Sequence, residues 1–363
     1  MRYVNLHHHS TFSFGDGFGT PAQHVVRAVE LGYGAITLTE HGSTSSHFQL
    51  EKAALKAGIK PIFGVEAYTG PVGVQQCDCD GEKTKRELGC SECEGMGTIC
   101  YGDTCPECNG TGVVTEWETC ERCKGTGEID LRTQFKHHLT ILAADGDGYR
   151  NLNRIVTQSF RDFYYHPTVS GVCLAENSDG LIVLSGCSGS QLACALLGGK
   201  GTPEHIDAPD LKSAAAVIRK FQRLLGDRYF LEIQPFWELP RTKAMNESYA
   251  ELSARLGVPM VVTCDVHYPK PEDAEMQAVL HAVHRGKASV DDAMREWNYD
   301  VLLTLPDSED DLRSRLEKTG LTSREALSAI DMAAKVADRC NVTLPKAERL
   351  RYPISEQDLK PWT

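Results

Sequence analysis

No stretch of this sequence approaches eighteen uninterrupted apolar residues, and the opening MRYVNLHHHSTFSFGDG lacks a basic segment followed by an apolar run. Neither a membrane-spanning helix nor a secretory leader is expected, so the expected location is cytoplasmic. Positive charge is scarce as well: 38 Lys and Arg stand against 50 Asp and Glu, a formal net charge of -12. That balance opposes tight, nonspecific binding to nucleic acid, although bound cations would reverse the sign locally. No collagen-like or coiled-coil repeat is present, and a composition of 41% hydrophobic and 24% charged residues excludes a disordered or fibrous class. With 363 residues the chain has room for one large domain with an appendage, or for two modest domains.

Cysteine, in contrast, is plentiful and unevenly spread. Nine of the fourteen cysteines fall between Cys77 and Cys123, in close pairs. Without a leader, that clustering favours thiolate metal ligands over disulfides. CSECEGMG at Cys90, CPECNGTG at Cys105 and CERCKGTG at Cys120 are three copies of one knuckle, CxxCxGxG. Two thiolates two residues apart can share a tetrahedral zinc, and the glycines permit the tight turn around it. Cys77 and Cys79 form an abbreviated fourth pair. The expectation is two structural zincs in nested order, with Cys77, Cys79, Cys120 and Cys123 outside and Cys90, Cys93, Cys105 and Cys108 inside. Cys100 is then spare or replaces Cys79. Residues 77–130 carry thirteen acidic and five basic side chains, so a structural or partner-docking role suits this module better than phosphate binding.

The remainder reads as alternating strands and helices. Short apolar runs at 3–6, 35–39, 61–66, 139–143, 181–185, 229–234 and 260–264 have the length of buried parallel strands. Helical patterns at 22–31, 45–57, 149–157, 211–225 and 243–256 lie between them, several ending in a glycine cap such as Gly32, Gly58 or Gly257. The expected architecture is α/β, a βα barrel or an open sheet, in two parts (1–70 and 131–270) around the inserted module 71–130. A helical tail, 271–363, follows, with a polar linker around Pro306–Asp311, helices at 273–285 and 323–339, and a loose end.

The positions of His, Asp and Glu relative to those strands carry the chemistry. His7 and His9 follow the first run, Glu40 and His41 the second, Glu66 ends the third, Cys187 follows the fifth, and Asp265 and His267 follow the seventh. Carboxyl ends of parallel strands share one rim, so these residues are expected to converge. Histidines at i and i+2 share a face, which makes HxH and DxH paired ligands and leaves His8 as a bystander. The set exceeds the four ligands of one structural zinc and suits two or three ions of Zn, Mn or Fe. Such clusters acidify water and clamp phosphate oxygens, the requirement for phosphoester hydrolysis. Position alone leaves Cys187 open between buried thiol and ligand. His137 and His138 begin a strand instead of ending one, and spacing selects neither.

The motifs YVNLHHHSTFSFGDG, ITLTEHG, IKPIFGVEAY, HHLTILAADGDGYRNL, LIVLSGCSGSQLA, YFLEIQ and VVTCDVHYPKPEDAE occur in this order. They resemble the polymerase and histidinol phosphatase (PHP) domain at the amino terminus of the C-family replicative DNA polymerase III alpha subunits. The tail from Ala274 through AAKVADRCNVTLP resembles the segment that joins that domain to the polymerase. The resemblance implies a distorted seven-stranded βα barrel with nine ligands: His7, His9, Glu40, His41, Glu66, His138, Cys187, Asp265 and His267. It thereby selects His138 and makes Cys187 a ligand. It also implies a metal-dependent 3′ to 5′ exonuclease acting on a DNA 3′ end, in which His9, Asp265 and His267 hold the nucleophilic site. Glu40 stands where the family usually has Asp, and the inserted module resembles the cysteine-rich domain of DnaJ co-chaperones. No polymerase palm is recognisable, so this chain alone is not expected to polymerise DNA. A separately encoded polymerase core or another replisome protein is the expected partner, and a phage origin fits the same pattern. Two alternatives stay open: hydrolysis of a small phosphomonoester or pyrophosphate, and a noncatalytic subunit stabilised by metal that docks a polymerase.

Overall fold

The computed structural model describes residues 1–79, 84–92, 94, 106–111, 113–124, 126–199, 205–286, 289, 291 and 301–346. The final residues, expected as a loose end, lie outside this set. Before the cysteine-rich segment come α1 (Pro21–Glu30), β1 (Ala35–Leu38), α2 (His47–Ala57) and β2 (Lys60–Thr69). The segment itself contributes β3 (Val74–Gln76), β4 (Thr84–Gly89), β5 (Val113–Glu118) and β6 (Glu128–Asp130). Then follow β7 (His137–Ala143), α3 (Gly146–Arg161), β8 (Thr168–Val169), α4 (Gly171–Glu176), β9 (Leu181–Leu184), α5 (Gln191–Leu197) and α6 (Leu211–Leu225). The chain continues through β10 (Tyr229–Ile233), α7 (Pro240–Leu256), β11 (Met260–Val262), α8 (Ala274–His284), α9 (Glu309–Lys318) and α10 (Ser323–Arg339).

Local chemistry sets the ends of these helices. Thr20 and Gln23 cap one another at the start of α1, ahead of Pro21, and Asp145 accepts from the Gly148 amide to open α3. Gly58 and Gly257 close α2 and α7 at φ 75° and 67°, a left-handed turn that costs glycine nothing. The run Pro306–Asp311, expected as a linker, instead opens a helix. Ser308 caps α9, Glu309, Asp310 and Asp311 occupy its positive end, and Leu312 and Leu316 are buried. The periodicity of two leucines four apart was hidden by that acidic first turn.

Six strands form one curled sheet in the order β1-β2-β7-β9-β10-β11, with β8 added beside β2. The pairs β1–β2, β9–β10 and β10–β11 are parallel, but β7 runs antiparallel to both β2 and β9. The uniform parallel sheet expected from the apolar runs is corrected at this strand. β2 and β7 are a long hairpin with Glu66 opposite Thr140 and Tyr68 opposite His138, and its connection is the cysteine-rich segment. Reversal carries the beginning of β7 to the rim where the parallel strands end.

The run Tyr3–Leu6, expected as a strand, forms no ladder. Asn5 takes the place of ladder bonds with its side chain, accepting from the Cys264 amide at 2.8 Å and donating to the His7 carbonyl at 2.7 Å. Just beyond, Thr39 N donates to His8 O at 2.8 Å, while His9 N donates to Val266 O at 2.7 Å and Val266 N to His7 O at 3.2 Å. Thr39 follows β1 and Val266 follows β11, the two edges of the sheet. The histidine segment therefore closes the curl at the rim.

Burial is nearly complete along the strands, and the apolar faces of α1–α3, α5–α7 and α10 cover them in one continuous core. The tail shares it: Leu305, Leu312, Ile330 and Val336 belong to the same cluster, and Lys60 donates to the Ala337 carbonyl at 2.8 Å. Among the described residues no helix is long and apolar enough to cross a membrane.

His47 ties α2 to the sheet, its Nε2 lying 2.9 Å from the Gly64 carbonyl oxygen. Burial holds the imidazole at about 4, below its ordinary value, against the smaller raising effect of that bond. The unfolded chain therefore takes up more protons than the folded one between about pH 6.5 and 4, so stability falls with acidification, by up to about 1.4 kcal/mol per pH unit for one such group. Urea unfolding of the metal-free protein is expected to show this loss, with a shallower slope in His47→Gln. An identical slope in the variant would remove His47 as a source.

Candidate metal centre

Each of three rim histidines has one ring nitrogen committed to a second group. His7 Nδ1 lies 2.6 Å from Glu232 Oε1, His9 Nδ1 2.8 Å from Ser13 Oγ, and His267 Nδ1 2.7 Å from the Asp265 carbonyl oxygen. Glu232 and the carbonyl can only accept, so they take the Nδ1 proton of His7 and His267. Ser13 behaves in the same way, because its own hydrogen goes to Glu40 at 2.6 Å and its oxygen must then accept from His9. In each ring Nε2 is thereby the nitrogen left to a cation, which would displace any proton held there.

Glu66, 2% exposed, sits at the middle of the group. Its oxygens lie 3.3 Å from His7 Nε2, 3.5 Å from His9 Nε2, 2.7 Å from His41 Nδ1 and 2.8 Å from His138 Nδ1. Cys187 Sγ is 3.6 Å from the same carboxylate and 3.4 Å from His138 Nδ1. Asp265 Oδ1 approaches His7 Nε2 at 3.3 Å and His9 Nε2 at 3.5 Å. It does so from a left-handed backbone at φ 44°, a conformation that Asp tolerates better than most residues. His138 reaches the rim because β7 is reversed. Its place at the start of a strand, unfavourable in an all-parallel sheet, is the right one here.

Glu40 is not brought into this group. Fully buried, it accepts from Ser10 N and Oγ at 3.0 and 2.6 Å and from Ser13 Oγ, so it fixes the loop and the His9 tautomer from behind. The acidic group found instead is Asp16, which the sequence reading passed over. Its Oδ2 lies 2.8 Å from His41 Nε2 and 3.1 Å from His267 Nε2, and its Oδ1 contacts His281 of α8. Only the FSFGDG context, immediately after the HxH pair, signals Asp16 in the sequence. Glu232 and His281 were missed too. Glu232 is a buried strand residue satisfied by Thr140, Thr263 and the Gly186 amide, and no spacing rule marks it. His8 turns away, with Nε2 2.7 Å from His24 Nδ1.

Charge in this group is mutually dependent. Burial favours neutral His7, but Asp265, Glu232 and Glu66 overcome it and hold the imidazole well above its usual range. Burial and the neighbouring His41 and His267 push His9 down to about 3. Burial works against His267 as well, yet Asp16 raises it to about 8. Burial likewise opposes ionisation of Glu66, and His138, His7 and His41 drive it well below the carboxylate range. Burial pushes the Cys187 thiol well up, with Glu66 and Asp265 adding to it. His7 Nε2, His9 Nε2, His41 Nδ1 and Asp265 Oδ1 are buried and lack a hydrogen bond. Buried atoms of this kind, without hydrogen bonds and converging with a thiol, fit divalent cations, whose charge would offset the carboxylates and whose coordination would satisfy them. Among the described residues of this group, three triads have ligand atoms within 4.8 Å of one another: His9, His41 and His267; His7, His9 and Glu66; Glu66, His138 and Cys187.

The outer thiolate set also converges. Cys79 Sγ lies 3.4 Å from Cys77 Sγ and 3.3 Å from Cys123 Sγ, and Cys77 Sγ is 3.8 Å from Cys120 Sγ. β3 pairs with β6 beneath this group and brings the two ends of the insertion together. Of the inner set, Cys90 and Cys108 pack together, and Cys90 Sγ donates to Glu107 at 3.2 Å. Cys93 and Cys105 lie outside the described residues, as does Cys100.

These roles separate under substitution. Asp16→Asn is expected to lower the number of ions bound per chain, measured by elemental analysis after dialysis. Glu40→Gln and Glu232→Gln, which act through His9 and His7, are expected to keep the number and weaken affinity roughly 10- to 100-fold. Full stoichiometry in Asp16→Asn together with a lost ion in Glu40→Gln would reverse the assignment.

With this geometry in place, comparison with known proteins places the chain. A model of the PHP domain matches residues 5–235. The DNA polymerase III subunit alpha of Treponema pallidum (strain Nichols) is 28% identical over 348 residues, covering 95% of this chain and 24% of that protein. The subunit of the same name from Thermus aquaticus is 27% identical over 358 residues, covering 98% of this chain and 24% of its own length. The chain thus spans about a quarter of the length of these relatives. Among solved structures, a two-domain protein from Bacteroides vulgatus containing a predicted PHP-like metal-dependent phosphoesterase covers 87% of the chain at 14% identity and a TM-score of 0.36, too loose a likeness to add to the assignment. The domain match covers well over half of the sequence and all but two of the rim residues: this chain belongs to the PHP domain family.

Proposed function

We propose that this chain is a divalent-metal-dependent phosphoesterase acting as a 3′ to 5′ exonuclease on DNA in association with replication. The observation that carries the reading is the set of buried, unbonded His7, His9, His41 and Asp265 atoms gathered around Glu66. A centre built only to hold a scaffold has no need of so many donors at the floor of an open cleft. Kinship with the alpha subunits of replicative polymerases supports DNA as the substrate. Asp16, His41, Glu66, Cys187, Asp265 and His267 all line a cleft of about 840 Å³, a size within the range of ligand sites.

His7, His9, Glu66, Asp265, Asp16, His41, His267, His138 and Cys187 would hold two or three ions, with zinc, manganese or iron suited to this mixture of donors. When bound, such ions supply Lewis acidity, acidifying water and neutralising phosphate oxygens. The protein's own part is orientation and charge. Glu232, Ser13 and the Asp265 carbonyl orient three imidazoles through Nδ1, and His9, Asp265 and His267 would hold the ion that supplies the nucleophilic water. His281, which contacts Asp16, lines the same cleft. The tail 271–363 and the cysteine module 71–130 are, in this reading, docking elements for a separately encoded polymerase core or another replisome protein.

The test is release of nucleotides from a labelled single-stranded oligonucleotide by the full chain with added Mn or Zn, beside Asp265→Ala/His267→Ala. Stepwise loss from the 3′ end, reduced at least 1000-fold in the double variant while its fold persists, is the expected result. Equal activity of the two proteins, or none with any metal, would overturn the reading.

A further inference from the structure

Above the metal-binding floor, the cleft is walled by aromatic rings that the chemistry described so far does not use. Phe14 is 85% exposed and Tyr165 79% exposed, yet both line the same cavity as His41 and Glu66. Large apolar rings left in water beside a site are more informative than exposed residues scattered elsewhere. Tyr165 is also held at φ 61°, a left-handed conformation that a bulky side chain rarely adopts.

The rings are braced. Tyr164 and Tyr165 meet edge to face with centroids 4.7 Å apart, and Tyr164 N donates to the His166 carbonyl at 3.3 Å. The Arg132 guanidinium lies 4.8 Å above the Tyr164 ring, and Asp130 fixes it there through two 2.8 Å bonds. From His166 a stack of rings descends to the floor, with Tyr68 4.5 Å away and His41 5.8 Å beyond Tyr68. Phe14, also in the lining, packs edge-on against His284 at 5.9 Å. Arg132 is neutralised by Asp130, so it stiffens the wall instead of contacting phosphate. The floor carries the histidines and carboxylates, Lys136 and Arg285 also line the cleft, and the rings supply π surface. That division matches one chemical class, a phosphodiester flanked by planar rings.

We propose that Phe14, Tyr164 and Tyr165 form a stacking clamp for the nucleobases of a single-stranded end, which seats the terminal phosphodiester on the histidine–carboxylate floor. The clamp rests on the reading of that floor as a phosphodiester site. Stacking on aromatic faces is tolerant of sequence and requires unpaired bases, so the clamp selects single strands over duplex without reading bases. Its walls come from the HxH loop, from the chain after α3 and, through Asp130 and Arg132, from the end of the cysteine insertion. The insertion thereby contributes to substrate binding without offering a basic surface.

The experiment compares an oligonucleotide ending in adenines with one whose last two nucleotides are abasic, using the full chain, Tyr165→Ala and Tyr165→Phe. The wild type is expected to prefer the base-bearing end in KM by roughly 10-fold or more, a preference lost in Tyr165→Ala and kept in Tyr165→Phe. Binding of the same two oligonucleotides is measured by fluorescence anisotropy in the Asp265→Ala/His267→Ala background, with and without Tyr165→Ala. A base preference in binding that Tyr165→Ala removes supports the clamp even where the wild type releases no nucleotide, in which case the exonuclease reading alone falls. Equal binding of base-bearing and abasic ends, or a preference that survives Tyr165→Ala, overturns the clamp.

Discussion

One buried carboxylate organises the centre. Glu66 lies on β2 with almost no exposure, and four imidazoles and a thiol converge on its two oxygens. A charge so far from water is tolerable only when compensated, and here compensation comes from parts of the chain more than a hundred residues apart. His7 and His9 arrive on the amino-terminal segment, His138 on the reversed strand, Cys187 after β9. The fold can be understood as the arrangement that brings these partners to Glu66 while a continuous apolar core supports them from below.

The sequence announced this centre unevenly, for reasons that are physical. HxH and DVH were legible because a period of two in an extended segment puts paired donors on one face, whereas of the adjacent pair EH only His41 faces the cluster. Strands β9, β10 and β11 were legible as short apolar runs, although the first such run proved to be a closing segment in which the Asn5 side chain stands in for ladder bonds. His138 was illegible from pattern alone, since nothing in HHLTILA distinguishes an antiparallel strand from a parallel one. Only pairing across a long insertion decides it. Asp16 and Glu40 exchanged expectations because adjacency to His41 in sequence says little about where a carboxylate turns. Two serines were free to take Glu40, and the loop around Gly15 and Gly17 carried Asp16 inward.

The insertion and the tail differ in how they join the barrel. The tail buries apolar side chains in the common core, so its helices are continuous with the barrel energetically. The insertion has few apolar groups to bury and leaves from the hairpin of β2 and β7, the strands that carry Glu66 and His138. Its thiolates gather its own two ends, Cys77 and Cys79 against Cys120 and Cys123. That module is therefore joined by chain directly to the two strands that carry Glu66 and His138, whereas the tail contacts the sheet through the core.

The way the curl is closed has a thermodynamic consequence. The edges beyond β1 and β11 are joined by the backbone of His7, His8 and His9, and two of these residues offer their side chains to the centre. Occupancy and closure are thus linked equilibria on one segment of chain. Any cation with affinity for the assembled donors would stabilise the folded chain, seam included, over the unfolded one by mass action, to an extent that grows with the logarithm of its concentration above the dissociation constant. The same three residues thus serve twice, their backbone as the seam of the sheet and the side chains of His7 and His9 as the wall of the centre.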